Sequence, residues 1–147
     1  MKIFQTTQFV FTKNKTLKKK KFYACVDRVI NDFFVDNDTF QKVYDSNYFI
    51  QAQGGKKIIK VRLPNKTMNQ GKSGGYRLII ACNSNTTSVV LLTIYPKLGK
   101  LSKSDLETGE LTKLLKGLKT NISEKKLIAY KLATKTSTPK KIIKKTD

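Results

Sequence analysis

Apolar and polar positions alternate loosely over residues 2–12, with Ile3, Phe9 and Phe11 as the apolar members, and this predicts a first short strand. Beyond the lysines of residues 13–21 the period changes. Phe22, Val26, Val29, Ile30 and Phe33 recur at offsets of four, seven, eight and eleven, the spacing of one buried helix face. Asp38 is placed to cap a short helix carrying Phe40, Val43 and Tyr44, and Tyr48, Phe49 and Ile50 form a second apolar cluster without a clear period. Gly54 and Gly55 mark a turn. Three strand-like segments follow at residues 56–63, 76–82 and 88–95. The last two are rich in Ile, Val and Leu and are joined by polar residues 83–87, so they predict a buried antiparallel hairpin at the centre of a sheet.

After Pro96, Ser102 with Asp105 three residues on resembles a capping pair, opening a helix through Leu106, Leu111, Leu114, Leu115 and Leu118 that ends near Gly117. Residues 119–147 hold nine Lys against Glu124 and Asp147, with a marginal helical stretch around Leu127 to Leu132. From Thr134 on, the Thr, Ser, Pro and Lys content is that of a disordered tail. The expectation is an α+β domain over residues 1–118, with N-terminal helices packed on a small curved antiparallel sheet, a C-terminal helix, and a basic extension over residues 119–147.

Charge changes the picture. The chain of 147 residues suits one domain, but its 30 basic residues outnumber 10 acidic ones for a formal charge of +20. Such a field attracts RNA, DNA or an acidic protein. Six of the lysines lie between Lys13 and Lys21, either as the solvated first turns of the following helix or as an arm that tracks phosphates. Cys25 and Cys82 lack the close-spaced partners of a zinc site, and both are expected to be buried thiols. No apolar run reaches signal-peptide or membrane-span length, which makes the cytoplasm the expected compartment and gives no membrane partner. The absence of His removes Ser-His-Asp and Cys-His chemistry, leaving Lys, Arg, Tyr and carboxylates.

The informative block spans residues 60–97. Strand period puts Lys60 and Arg62 on one face, with Ile59, Val61 and Leu63 toward the core. Arg77 opens the next strand, and Tyr95 and Lys97 share a face if the third strand continues past Pro96. Neighbouring strands lie roughly 4.8 Å apart, so the four cations and the phenol can converge on one phosphate ester. Cleavage of RNA through its own 2'-hydroxyl needs such a patch: a base for the attacking oxygen, positive charge for the phosphorane and a proton for the leaving oxygen. A lysine, normally near pKa ~10.4, can serve as base only when crowding by other cations penalises its charged form. Gly71, Lys72, Ser73, Gly74 and Gly75 end the connection before the second strand. A P-loop would need a glycine at Lys66 and a helix after the motif, so the segment reads instead as a flexible loop close to a sugar-phosphate backbone, or as a plain Gly-rich hairpin connection. Lys72, Ser73 and Lys57 are the expected RNA contacts.

The order KVRL (Lys60 to Leu63), GKSGGYR (Gly71 to Arg77), an apolar strand, LLTIYPK (Leu91 to Lys97) and a Leu-rich closing helix resembles the RelE/HigB toxins of type II toxin-antitoxin systems, over about residues 48–118. The resemblance implies cleavage of messenger RNA, often on the ribosome, without metal or cofactor, until an antitoxin neutralises the toxin. It carries the catalytic positions to Lys60, Arg62, Arg77, Tyr95 and Lys97: Lys60 or Tyr95 as base, Arg62 and Arg77 on the phosphate, and Lys97 as a phosphate contact or leaving-group partner. The segment from Asp36 to Gln53 and the tail extend beyond the compact core that it implies. The rival expectation is a basic RNA- or DNA-binding protein without catalysis, either ribosome- or nucleoid-associated or acting as a corepressor with its antitoxin. Its affinity would fall steeply with salt.

Overall fold

The computed structural model of the chain describes residues 1–46 and 48–132. Six strands form one mixed sheet: β1 (Lys2–Gln5), β2 (Tyr48–Gln53), β3 (Lys56–Leu63), β4 (Tyr76–Asn83), β5 (Ser88–Pro96) and β6 (Ile128–Ala129), in the spatial order β2-β3-β4-β5-β1-β6. Among the described residues, four α-helices complete the α+β fold: α1 (Thr7–Phe11), α2 (Val26–Asp36), α3 (Phe40–Tyr44) and α4 (Glu110–Ser123). The expected central hairpin is present, with β3, β4 and β5 antiparallel. The sheet as a whole is not antiparallel, because β1 lies parallel to β5.

Local chemistry explains where the elements depart from the periodic reading. The strand expected over residues 2–12 stops at Gln5, since the Thr6 hydroxyl accepts the Phe9 N–H at 3.0 Å and starts α1. The chain continues through a π-helical segment, Thr12–Leu17, so the first lysines extend α1 rather than begin α2. Phe22 lies in a 3₁₀ turn and is 54% exposed, while its neighbour Tyr23 takes the buried place. The expected helix therefore starts at Val26, where Val26, Val29, Ile30, Phe33 and Phe34 make its buried stripe and Asn37 closes it with a side-chain bond to the Phe33 carbonyl at 2.9 Å. Thr39, not Asp38, caps α3. Ser102 and Asp105 cap nothing. Gly109, in the left-handed region, precedes α4, and the Glu110 carboxylate accepts the Glu107 N–H at 2.9 Å.

Helix α4 runs through Gly117 and Leu118 without a break, so the boundary expected at residue 118 falls inside it. In place of a marginal helix, Ile128 and Ala129 pair with β1, and the Tyr130 N–H reaches the Ile3 carbonyl. The tail expected to be disordered from Thr134 lies outside the described residues. Cys82 is buried but Cys25 is exposed, against the expectation for it. Among the described residues, no helix is long and apolar enough to cross a membrane.

The sheet carries a different core on each face. Ile59, Val61, Leu63, Tyr76, Leu78, Ile80 and Cys82 pack with α2, Phe9 and Tyr23 on one side. On the other, Ile58, Ile79, Val90, Leu92 and Tyr95 receive Leu111, Leu114, Leu115 and Leu118 of α4. Burial of this apolar area on both faces, at roughly 25 cal/mol per Å2, is the main force holding the three layers together.

Candidate active site

The register of β3, β4 and β5 builds the site. Ile58 lies opposite Ala81 and Ala81 opposite Val90; Lys60 faces Ile79 and Ile79 faces Thr93; Arg62 faces Arg77 and Arg77 faces Tyr95. All three rows lie on the α4 side. They grade from apolar to charged along the strands.

A bulge makes this possible. Ile80 pairs with Leu91 and Ile79 with Thr93, which leaves Leu92 as an extra residue in β5. Because successive side chains alternate faces, the extra residue shifts every later side chain to the opposite side. Without it, Tyr95 would point toward α2; with it, the phenol joins the face that holds Lys60 and Arg77. Strict alternation does not reveal which face Tyr95 takes.

The loop between β5 and α4 then supplies a residue that spacing assigned only to capping. Asp105 Oδ1 lies 3.4 Å from Lys60 Nζ and 3.4 Å from the Tyr95 hydroxyl, and it accepts the Leu106 N–H at 2.8 Å. The bond from the Leu106 amide is the main cause holding the Asp105 carboxyl below its ordinary range; its burial opposes this, and the Lys60 charge adds to it. Tyr95 is 3% exposed. Burial first, and the Asp105 charge second, push its phenol up to about 12, so it keeps its proton at neutral pH. The expected crowding of Lys60 by cations alone is replaced by an ion pair with Asp105.

The remaining predicted residues are placed less directly. The Arg77 guanidinium donates to the carbonyls of Lys72 at 2.9 Å, Tyr76 at 3.1 Å and Ser73 at 3.0 Å, so it organises the Gly-rich loop while its charge still acts on Tyr95. Gly75 in that loop has a structural reason, since a Cβ there would collide with the Leu63 carbonyl oxygen. Arg62 lines a cleft of about 340 Å3 with Asp32, Asp36, Lys66 and Lys72 beside the end of α2. Lys97 continues the ladder by one bond, from its N–H to the Gly75 carbonyl, and its ammonium holds the Ser104 carbonyl at 2.6 Å, next to Asp105. Lys57 is placed apart from the other predicted residues. It lies on the opposite face, where its ammonium donates to the Tyr44 carbonyl at 2.8 Å and sits 4.4 Å from the Tyr44 ring centre. These contacts join β3 to α3 at a position expected to touch RNA.

Beside Tyr95 opens a cavity of about 560 Å3 lined by Thr residues of the α1 region, Thr93, Lys103, Glu110 and Gly117. Lys103 and Glu110 pair across it at 2.8 Å. Compared with models of known protein families and with curated proteins, the chain matches none.

Proposed function

We propose that the chain is an endoribonuclease that cleaves messenger RNA through the RNA's own 2'-hydroxyl, a toxin of the RelE/HigB kind in fold and action, inhibiting translation until a partner antitoxin neutralises it. The observation that carries this reading is the meeting of Lys60 and Tyr95, from separate strands, at one oxygen of Asp105 beside Arg77. The order KVRL, GKSGGYR and LLTIYPK supports it from the sequence.

In this reading the roles are redistributed. Tyr95 holds its proton and Lys60 pairs with Asp105, so in this reading the Asp105 carboxylate is assigned as the proton acceptor. In the proposed step the 2'-oxygen attacks the adjacent phosphorus while its proton passes to Asp105, and the bond from phosphorus to the 5'-oxygen breaks. That oxygen takes a proton from Lys60. The products are a 2',3'-cyclic phosphate and a 5'-hydroxyl, and transfer of the proton from Asp105 back to Lys60 closes the cycle. Tyr95 donates a hydrogen bond, and Arg77 and Lys97 hold the two loops that bring the groups together. The contacts of 3.4 Å are long, as such bonds often are before a substrate tightens them.

The test is RNA-end mapping after incubation of the purified protein with free RNA and with translating ribosomes. Cleavage with cyclic-phosphate ends is expected, and Asp105→Asn should lower its rate by about 100-fold or more with the fold intact. Parent-like cleavage by Asp105→Asn would remove the assigned base. No cleavage of either substrate would leave the second reading, a basic RNA-binding module. That reading is favoured by the engagement of Arg77 with loop carbonyls and the 3% exposure of Tyr95.

A further inference from the structure

The lysine-rich segment before α2 is held in place rather than loose. Asp27 is the first acidic residue in the chain, and it pairs with Lys13 at 2.8 Å and Lys18 at 2.6 Å. Leu17 and Tyr23 are each 2% exposed and anchor the segment from below. The Tyr23 hydroxyl donates to the Leu98 carbonyl at 2.8 Å, and Gly99 passes so close that a Cβ there would collide with that hydroxyl. Leu98 follows Lys97, whose ammonium holds the loop next to Asp105. Thr16 and Leu17 also line the cavity that borders Tyr95. The segment thus joins the candidate active site through two sets of contacts.

Its outward side has a composition of its own. Lys15, Lys19, Lys20 and Lys21 are exposed and have no ion pair among the described residues. Phe22, immediately after them, is 54% exposed and Phe11, before them, 58%. Lysines free to neutralise phosphates beside an exposed ring are the two parts of a single-strand platform, in which charge follows the backbone and the ring stacks on a base. The ring beside the lysines gives this side, besides phosphate neutralisation, a stacking face of the kind a single strand uses.

We propose that the exposed side of residues 15–22 is a second RNA-contact surface, which holds the phosphates of a single strand running from the Lys60–Asp105 site and stacks a base on Phe22. It rests on the reading of the chain as an RNA-directed protein. Because the segment is tethered before RNA arrives, little ordering is needed on binding.

Binding is measured by fluorescence anisotropy on a short single-stranded RNA methylated at every 2'-oxygen, which removes the nucleophile and separates binding from cleavage. The triple variant Lys19→Gln, Lys20→Gln, Lys21→Gln should bind more weakly, and its log affinity should fall with log salt by about 2 less than the parent's, at roughly 0.7 per lost phosphate contact. Phe22→Ala should weaken binding about fivefold or more and leave that slope unchanged. A parent-like slope in the triple variant, or parent-like affinity in Phe22→Ala, overturns the proposal. So does an equal effect of Phe22→Ala on binding to poly-glutamate, which would mark the surface as a site for an acidic protein. Loss of the arm's effect with cleavage of unmodified RNA retained sinks this surface alone, whereas binding through the arm without any cleavage upholds it and sinks the nuclease.

Discussion

On one face of the sheet Ile59, Val61, Tyr76, Leu78 and Ile80 are all 0% exposed against the helices that precede it. The same three strands present the opposite face in two halves, with Ile58, Ile79, Val90 and Leu92 under α4 and then the basic positions Lys60, Arg62 and Arg77, of which Arg77 is buried against the Gly-rich loop. The uniform face specifies the fold, because a one-residue slip would move every one of its side chains to the opposite, partly charged face. The divided face needs only half its length to hold α4, and this releases the other half for charge. What places the division is the bulge at Leu92, which carries Tyr95 across to the charged half.

The sharpest contrast between the faces should be in stability. Phe34 is 0% exposed and packs edge-on to Phe33, with ring centres 5.1 Å apart. Phe34→Ala should cost about 3–5 kcal/mol in denaturant unfolding, the range for an aromatic cavity in a core. Lys60→Gln, in a pair with an exposed carboxylate, should cost less than about 1 kcal/mol in the same measurement. Equal losses for the two variants would erase the distinction between the faces.

Alkaline titration probes both faces together. Burial raises the phenols of Tyr76 and Tyr130 on the helix side and of Tyr95, to about 12, on the α4 side. An unfolded tyrosine ionises near 10, so above that pH the unfolded state loses protons that the native state keeps. Stability should therefore be flat with respect to these groups below pH 10 and fall as pH rises toward 12, by on the order of 2 kcal/mol for Tyr95. Tyr95→Phe should make that fall shallower, and an unchanged profile in the variant would contradict the buried phenol.

The charged half-face was legible in part from spacing. Period two put Lys60 and Arg62 together, and the hairpin of residues 76–95 follows from two apolar runs with a polar join. The missing pieces share a cause: each depends on contacts that a local pattern cannot hold. Thr6 ends β1 by capping α1, and the bulge at Leu92 is invisible in a run of apolar residues. Asp105 reaches Lys60 across 45 residues of chain, and only its acidic side chain amid a lysine-rich loop hinted at a partner. Lys57 looked like its neighbours Lys56 and Lys60, but its even offset from Ile59 already put it on the helix side.

A smaller effect distinguishes the tethered basic arm from the face it borders. Burial opposes ionisation of Asp27, but the bonds and charges of Lys13 and Lys18 outweigh it and hold its carboxyl below the ordinary range. Its contribution is complete above the unfolded pKa near 3.8 and fades as pH falls below that value. Asp27→Asn should cost about 1 kcal/mol at neutral pH, a modest figure because the carboxylate side chain is 42% exposed, and should flatten the acid limb of the stability profile. The comparison is made by urea unfolding of parent and variant across the acid range, where the curves are expected to converge as pH falls below 3.8.

One expected change has the opposite sign. Gly117 sits inside α4, where glycine costs about 1 kcal/mol relative to alanine, and nothing lies within 4 Å of the position its Cβ would take. Close packing is the usual reason for glycine within a helix, and it is absent here. Its position on the wall of the cavity beside Tyr95 leaves room in that cavity as the effect of the missing side chain. Gly117→Ala should therefore stabilise the protein by about 1 kcal/mol in denaturant unfolding. Should the cavity be mere slack between α1 and α4, RNA cleavage by Gly117→Ala would equal that of the parent. Should substrate enter it, the bulkier Gly117→Leu would retain the fold and lose cleavage, which would tie the divided face to the helix that covers half of it.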